Sequence, residues 1–426
     1  MTNQALLAIG IFLFAYAFIV TEKIHRTIIA MAGGIAMVLL GILGQETALD
    51  HIDFNTLGLL TGMMLIVAIT AETGLFRYLA IWAAKKVKGE PLKLLIVLGT
   101  ITALASAFLD NVTTVLLIVP VTFSITRQLK VNPMPYLISQ IIASNIGGTA
   151  TLIGDPPNIM IGSAVKELTF SAFIFNLAPI AAIVLVVNIA VLALIFRKSL
   201  STTDELKAGI MNLDEKAEIT DSLLLKKSLF ALTVTIIGFF LHGFIHVENA
   251  TIALAGAFLL LLMTGEHYLE DSMKKVEWLT IFFFIGLFVL VGGLVETGVI
   301  TMLAEKSMKL TGGEVTATSL LILWVSAIAS AFIDNIPFVA TMIPMIKDMG
   351  SLGITNLEPL WWSLALGACL GGNGTLIGAS ANVIVAGMAA KEKQPISFMK
   401  FLAIAFPLML LTMIICTVYV YVRYLQ

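Results

Sequence analysis

Charge is what this sequence has least of. Only 12% of its 426 residues are Asp, Glu, Lys or Arg, about half the share of an average soluble domain. That scarcity excludes a soluble enzyme. Cysteine is scarce too: Cys369 and Cys416 both lie in apolar sequence, which leaves no disulfide framework and no zinc spacing. A net charge of −2 gives no polyanion footprint, so no nucleic-acid partner is expected. Before the apolar run 6–20 there is no basic region, and no small-residue cleavage site follows it. The run therefore reads as a retained span rather than a signal peptide.

What is present is apolar length. The apolar set makes up 59% of the chain, and the mean hydropathy is +1.00. The runs 6–20, 27–43, 57–70, 180–196, 230–241, 252–263, 279–295 and 402–422 carry no charge. A membrane-crossing helix takes about 20 largely apolar residues. The chain reads as an all-α polytopic membrane protein.

It also repeats itself. Ala105-Ser106-Ala107-Phe108-Leu109-Asp110-Asn111 returns as Ala329-Ser330-Ala331-Phe332-Ile333-Asp334-Asn335, 224 residues on. The same offset pairs Glu72-Thr73-Gly74 with Glu296-Thr297-Gly298, Gly147-Gly148 with Gly371-Gly372, and Asn158 with Asn382. The predicted organisation is one copy over 1–200, a cytoplasmic linker over 201–227 and a second copy over 228–426. In the first copy, crossings are expected near 4–21, 27–44, 54–72, 134–165 and 171–196. Residues 91–128 are apolar but interrupted by Asp110-Asn111, the pattern of a re-entrant helical hairpin. The crossing over 134–165 is broken at Gly147-Gly148 and again at Gly154-Asp155-Pro156-Pro157. Such backbone is tolerated in a membrane only where protein or a water-filled cavity satisfies it.

Five crossings per copy is an odd number, so the second copy must be inverted. With both termini outside, twenty of the 25 basic residues fall on the cytoplasmic side, as the positive-inside rule requires. Every basic residue lies in or beside a loop, and the mixed-charge stretch 197–227 reads as a solvated linker. The expected location is the plasma or inner membrane.

Inverted repeats with paired broken helices are the architecture of secondary transporters, with the site where the repeats meet. Asp110 and Asp334 head the candidates. A carboxylate at the bilayer centre costs about 2.5–3.5 kcal/mol on insertion scales, and no Lys or Arg lies within the apolar spans to compensate. Each acid is expected to be protonated, cation-bound or wet, which suits coupling to H⁺ or Na⁺. Asp is also a preferred N-cap, with Thr113 and Pro337 suited to the first turns, and the two roles are compatible. Around the tips, Asn111, Thr113 and Asn335 are candidate ligands. The breaks add Gly148, Thr149, Thr151, Asp155 and Asn158 from the first copy, and Gly372, Asn373, Thr375, Ser380 and Asn382 from the second. Asp155 has Ala379 as its partner, and it reads as either an N-cap or a ligand. Glu72 and Glu296 end spans before αL-type glycines and are candidates for a proton or ion relay. Cys369, near a break, is usual core packing or a soft-metalloid ligand. Sodium is the expected metal at the Asp110 and Asp334 tips, with no transition metal and no cofactor.

These segments are recognisable. Phe108–Thr114, Asn145–Gly148, Gly154–Asn158, Phe332–Phe338 and Gly371–Asn382 closely resemble the P protein, ArsB and NhaD arm of the ion transporter superfamily. The chain resembles a prokaryotic, membrane-only member of that arm. The resemblance implies a scaffold and a mobile transport domain, an elevator-type motion and a homodimer. Dicarboxylate carriers of the superfamily carry Ser-Asn-Thr at both tips, whereas this chain has Asp110-Asn111-Val112 and Asp334-Asn335-Ile336. The departure favours a small inorganic ion. The reading is a secondary ion transporter, with arsenite efflux, an anion channel and a citrate or dicarboxylate carrier as alternatives. An enzyme is not expected, because no nucleophile–base pair, metal cluster or phosphate loop is present. A cysteine placed in 201–221 should react with impermeant maleimide only from the cytoplasmic side, and one near residue 3 only from outside.

Overall fold

The computed structural model describes residues 2–21 and 23–426. All regular structure among them is helical. Eight helices are long and apolar enough to cross a membrane: Phe54–Glu72, Pro91–Phe108, Asn111–Leu129, Phe170–Phe196, Ser222–Ile245, Trp278–Glu296, Val315–Phe332 and Phe398–Tyr424. Asn3–Thr21, Arg26–Leu39 and Asn249–Thr264 are further apolar helices. The chain is a multi-pass membrane protein.

Element boundaries keep the register seen in the sequence. Helices start at residues 54, 75, 91, 111, 134 and 156, and again at 278, 299, 315, 335, 358 and 380. The two interrupted regions fall where polar residues interrupt apolar sequence. Pro91–Phe108 and Asn111–Leu129 meet at Leu109-Asp110, and Val315–Phe332 and Asn335–Ser351 meet at Ile333-Asp334. The crossing over 134–165 is two helices, Met134–Thr149 and Pro156–Ala164, with Pro156 in the first helical turn. Its counterpart is Glu358–Gly371 and Ser380–Lys391, separated by a short 3₁₀ turn.

Small residues let these pieces approach. A Cβ on Gly147 would lie 2.0 Å from the Ala103 carbonyl oxygen, and one on Gly371 would lie 2.5 Å from that of Ala327. Each broken helix therefore lies backbone to backbone against the first arm of its own hairpin. A second set of helices packs in the same way. A Cβ on Gly62 would lie 2.6 Å from the Ala253 carbonyl carbon, and one on Gly286 would lie 2.5 Å from that of Ala30. Lipid tails are as apolar as Leu, so association in the membrane relies on this close packing and on polar contacts rather than on hydrophobic burial.

Glu72 and Glu296 each end a helix, with Gly74 at φ +78° and Gly298 at φ +72° beyond them. An acid at a helix C-terminus opposes the dipole, and both acids find partners in the other copy. Glu72 pairs with Lys275, and Glu296 lies 3.0 Å from His51 Nε2. His51 and Lys275 are themselves 224 residues apart, so the two pairs are reciprocal.

The linker departs from expectation. Rather than a solvated tether, it carries helix Asp204–Met211 and is docked. Ile210 is fully buried. Gln128 donates to the Gly209 carbonyl at 3.1 Å, Lys85 to that of Leu213 at 2.7 Å, and Thr220 Oγ1 to that of Glu72 at 2.6 Å. Mixed charge marked the outer face of this segment and hid its buried apolar anchors, Ile210 with Leu200 and Leu224 at its ends. The next helix starts at Ser222, within the expected linker. Gly147→Ala and Gly371→Ala should each destabilise the folded protein by about 1–3 kcal/mol through overpacking, read as a lower thermal midpoint in detergent.

Candidate ion-binding site

The breaks are held by side chains that stand in for missing helical hydrogen bonds. Asn158 Nδ2 donates to the carbonyls of Thr151 at 2.9 Å and Thr149 at 3.1 Å. Asn382 Nδ2 donates to those of Thr375 at 2.9 Å and Gly372 at 2.8 Å. Thr151 and Thr375 turn their hydroxyls to the carbonyls of Ala107 and Ala331, tying each break to its hairpin. Ser106 and Ser330 do the same toward the carbonyls of Ser144 and Ala368, both at 2.6 Å. Thr149 donates to the Asn145 carbonyl one turn back. Gly148 and Gly372 leave room for the irregular segment that follows: a Cβ on each would lie 2.5 Å and 3.0 Å from the Gly154 and Gly378 carbonyl oxygens. Many of the expected neutral ligands are thus committed to backbone.

The two breaks meet through an asparagine cluster whose central member, Asn145, sequence reasoning did not single out as a ligand. Asn145 Nδ2 donates to Asn373 Oδ1 and to Asn382 Oδ1, both at 2.9 Å, and Asn111 Nδ2 donates to Asn145 Oδ1 at 3.0 Å. All four residues are buried. Cys369 occupies the position equivalent to Asn145, and its thiol lies 3.5 Å from Asn158 Oδ1. Cys369 is fully buried in this contact. A signal was available: Asn145 and Cys369 are 224 residues apart and both lie within helices that precede the breaks.

The hairpin tips cap their second arms. Asp110 accepts from the Thr113 amide at 2.7 Å and the Thr113 hydroxyl at 2.5 Å, and Asp334 accepts from the Ile336 amide at 3.1 Å. Asp155 sits at the N-cap position of Pro156–Ala164 yet makes no side-chain cap bond. It is 1% exposed, and neither of its carboxylate oxygens has a partner among the described residues. Asn335 is 3% exposed with its Nδ2 likewise unpartnered. Asp110, Asn111, Asp155 and Asn335 line one cavity of about 50 Å³, together with Glu277 and Arg26. Liquid water takes about 30 Å³ per molecule, so this space suits one or two waters or one dehydrated ion.

Arg26 corrects the expectation that no cation reaches the acids. It opens helix Arg26–Leu39 beside a loop, yet its long side chain extends to Asp334 and forms an ion pair with it. The same guanidinium nitrogen donates to Ser380 Oγ at 2.8 Å, and Ser380 donates to Asp334 at 3.1 Å. Two larger cavities, about 310 and 410 Å³, are both lined by His25 and Arg26 and share Arg26 with the small one. Glu277 is the second residue missed. It reaches the cavity from the position before Trp278–Glu296 and accepts from Thr280 Oγ1 at 3.0 Å. Glu72 and Glu296 stand apart from this cavity, in the pairs described above.

The citrate transporter family CitMHS matches residues 16–367. A transporter of Mycobacterium tuberculosis is 42% identical over 427 residues, with 99% of each chain covered. A 46 kDa membrane protein of Mycobacterium leprae is 40% identical over 428 residues, with the same coverage. The human P protein is 37% identical over 498 residues, which take in 98% of this chain and 59% of that protein. The YdaH transporter of Alcanivorax borkumensis shares the fold, with a TM-score of 0.61, 15% identity and 99% and 98% of the two chains covered. Asn145→Ala should cost about 0.6–2 kcal/mol, the range for hydrogen bonds between membrane helices, and lower the thermal midpoint more than Cys369→Ala. With a match over most of its length and relatives alike from end to end, the chain belongs to the CitMHS family of transporters.

Proposed function

We propose that the chain is a secondary active transporter that moves a small inorganic ion in exchange for H⁺ or Na⁺, with Asp110 and Asp155 carrying the coupling ion. One observation carries the reading: the buried Asp155 carboxylate has no charged partner among the described residues, only the neutral Cys369 and Asn335 side chains beside it, and it shares an ion-sized cavity with Asp110. A buried ionised carboxylate without a partner is too costly to persist. It takes a proton or a cation, and an acid that must choose between the two is what cation-coupled exchange needs.

The two copies act as inverted repeats, each with a re-entrant hairpin. The hairpins and broken helices form the moving part of an elevator, and Arg26–Leu39, Phe54–Glu72, Asn249–Thr264 and Trp278–Glu296 form the scaffold. The reciprocal Glu72–Lys275 and Glu296–His51 pairs support the repeat, since a two-fold relation makes each contact occur twice. A homodimer in the plasma membrane, with both termini outside, completes the proposal.

A carboxylate carrier is the second reading. The family's description and the larger cavities beside Arg26 favour it. Against it, Asp110, Asp155 and Glu277 face the cavity with no basic partner of their own, and Arg26 is already engaged by Asp334. A panel of inorganic ions and citrate, tested in proteoliposomes under imposed pH and sodium gradients, separates the two. Asp110→Ala and Asp155→Asn should each lower ion-coupled flux by at least roughly tenfold, the scale of losing an oriented ligand group. Undiminished flux in both variants at normal expression defeats the assignment.

A further inference from the structure

The two tips share a frame but not their charges. At the 224-residue offset, Asp110 matches Asp334 and Asn111 matches Asn335, while neighbouring positions differ, among them Thr113 against Pro337 and three others. The first copy has Asp155 where the second has Ala379. The second copy has Ser380 where the first has Pro156. Arg26 has Ala250 as its counterpart. The first tip therefore gains an acid, and the second gains a hydroxyl and a guanidinium.

Geometry makes these differences act together. Arg26 holds both the Asp334 carboxylate and Ser380 Oγ, and its guanidinium carbon lies 4.8 Å from the centroid of the Phe283 ring. It is supplied by Arg26–Leu39, which packs on Trp278–Glu296 rather than on the hairpin that carries Asp334. His25, which lines the two larger cavities with Arg26, has its Nδ1 accepting from the Thr27 amide. Asp155, by contrast, is 1% exposed, stands beside the neutral side chains of Cys369 and Asn335, and has no ion-pair partner among the described residues.

We propose that Arg26 is a resident cation for the second tip: it occupies Asp334 in place of a transported ion, so that coupling ions bind only at Asp110 and Asp155. Arg26 is in this sense a specificity-determining residue that sets how many cations the transporter binds. Removing it leaves Asp334 an uncompensated carboxylate that must recruit a cation of its own. The proposal rests on the cation-coupling reading above.

The test counts bound cations on purified full-length protein, with sodium and the proton as the only probes. Equilibrium binding of radioactive sodium is measured at alkaline pH, and proton uptake is measured on acidification. Arg26→Gln should bind about one more cation per chain than the wild type, because the part-buried Asp334 carboxylate has lost its partner. Arg26→Lys should match the wild type, and adding Asp334→Asn to Arg26→Gln should remove the gain. Asp334→Asn alone should leave the wild-type count unchanged, which keeps the test open if Arg26→Gln misfolds. Equal counts in folded Arg26→Gln and wild type overturn the proposal, as does a lower count in Asp334→Asn alone. A wild type that binds neither probe overturns the coupling reading along with it. Cation binding by the wild type without a gain in Arg26→Gln overturns this inference and leaves that reading standing.

Discussion

Two helices broken inside an apolar layer leave carbonyls that lipid cannot satisfy, and the rest of the molecule is arranged around that need. Asn158 and Asn382 answer it directly by spanning the gaps in their own helices. Thr151 and Thr375 tie each gap to its hairpin. The glycines before each break allow backbone to meet backbone, so the hydroxyls of Ser106 and Ser330 reach main-chain carbonyls directly. Asn145 then joins the breaks through Asn373 and Asn382. Most of the polar groups in this region are therefore structural. What is left over, the Asp155 carboxylate and the Asn335 amide, stands out because so much around it is already bonded.

The charges are divided with the same economy. Reciprocal pairs at the helix ends, Glu72 with Lys275 and Glu296 with His51, bridge the two copies away from the cavity. At the tips the symmetry is broken: Asp334 faces Arg26, while Asp110 faces Asp155 and Glu277 across about 50 Å³. Family membership fixes that the protein is a transporter. Which ion it carries depends on how these few groups share protons and cations, because each uncompensated carboxylate in a low-dielectric site demands one or the other.

Much of this was legible in the sequence. The offset of 224 gave the helix starts, and the polar interruptions at Asp110-Asn111 and Gly147–Asn158 gave the hairpin and the broken helix. The glycines after Glu72 and Glu296 gave two helix ends. Less legible were the partners. Loop position made Arg26 look remote from the acids, although a long side chain at the start of a short helix reaches well beyond its own Cα. Composition made 197–227 look solvated, although buried Leu200, Ile210 and Leu224 and a few hydrogen bonds to backbone dock it.

The sequence by itself determined the membrane class, the repeat and the residues gathered near the breaks, because scarce charge, long apolar runs and a fixed register are one-dimensional properties. The tertiary structure alone decided which of those residues are spent and which are free. Thr151, Thr375, Asn158 and Asn382 looked like ligands and serve as donors to backbone, whereas Asp155, which read as either a cap or a ligand, caps nothing. A hydrogen-bond donor's availability depends on what lies within about 3 Å of it, and that neighbour need not be near in sequence: Asn145 meets Asn373, 228 residues on.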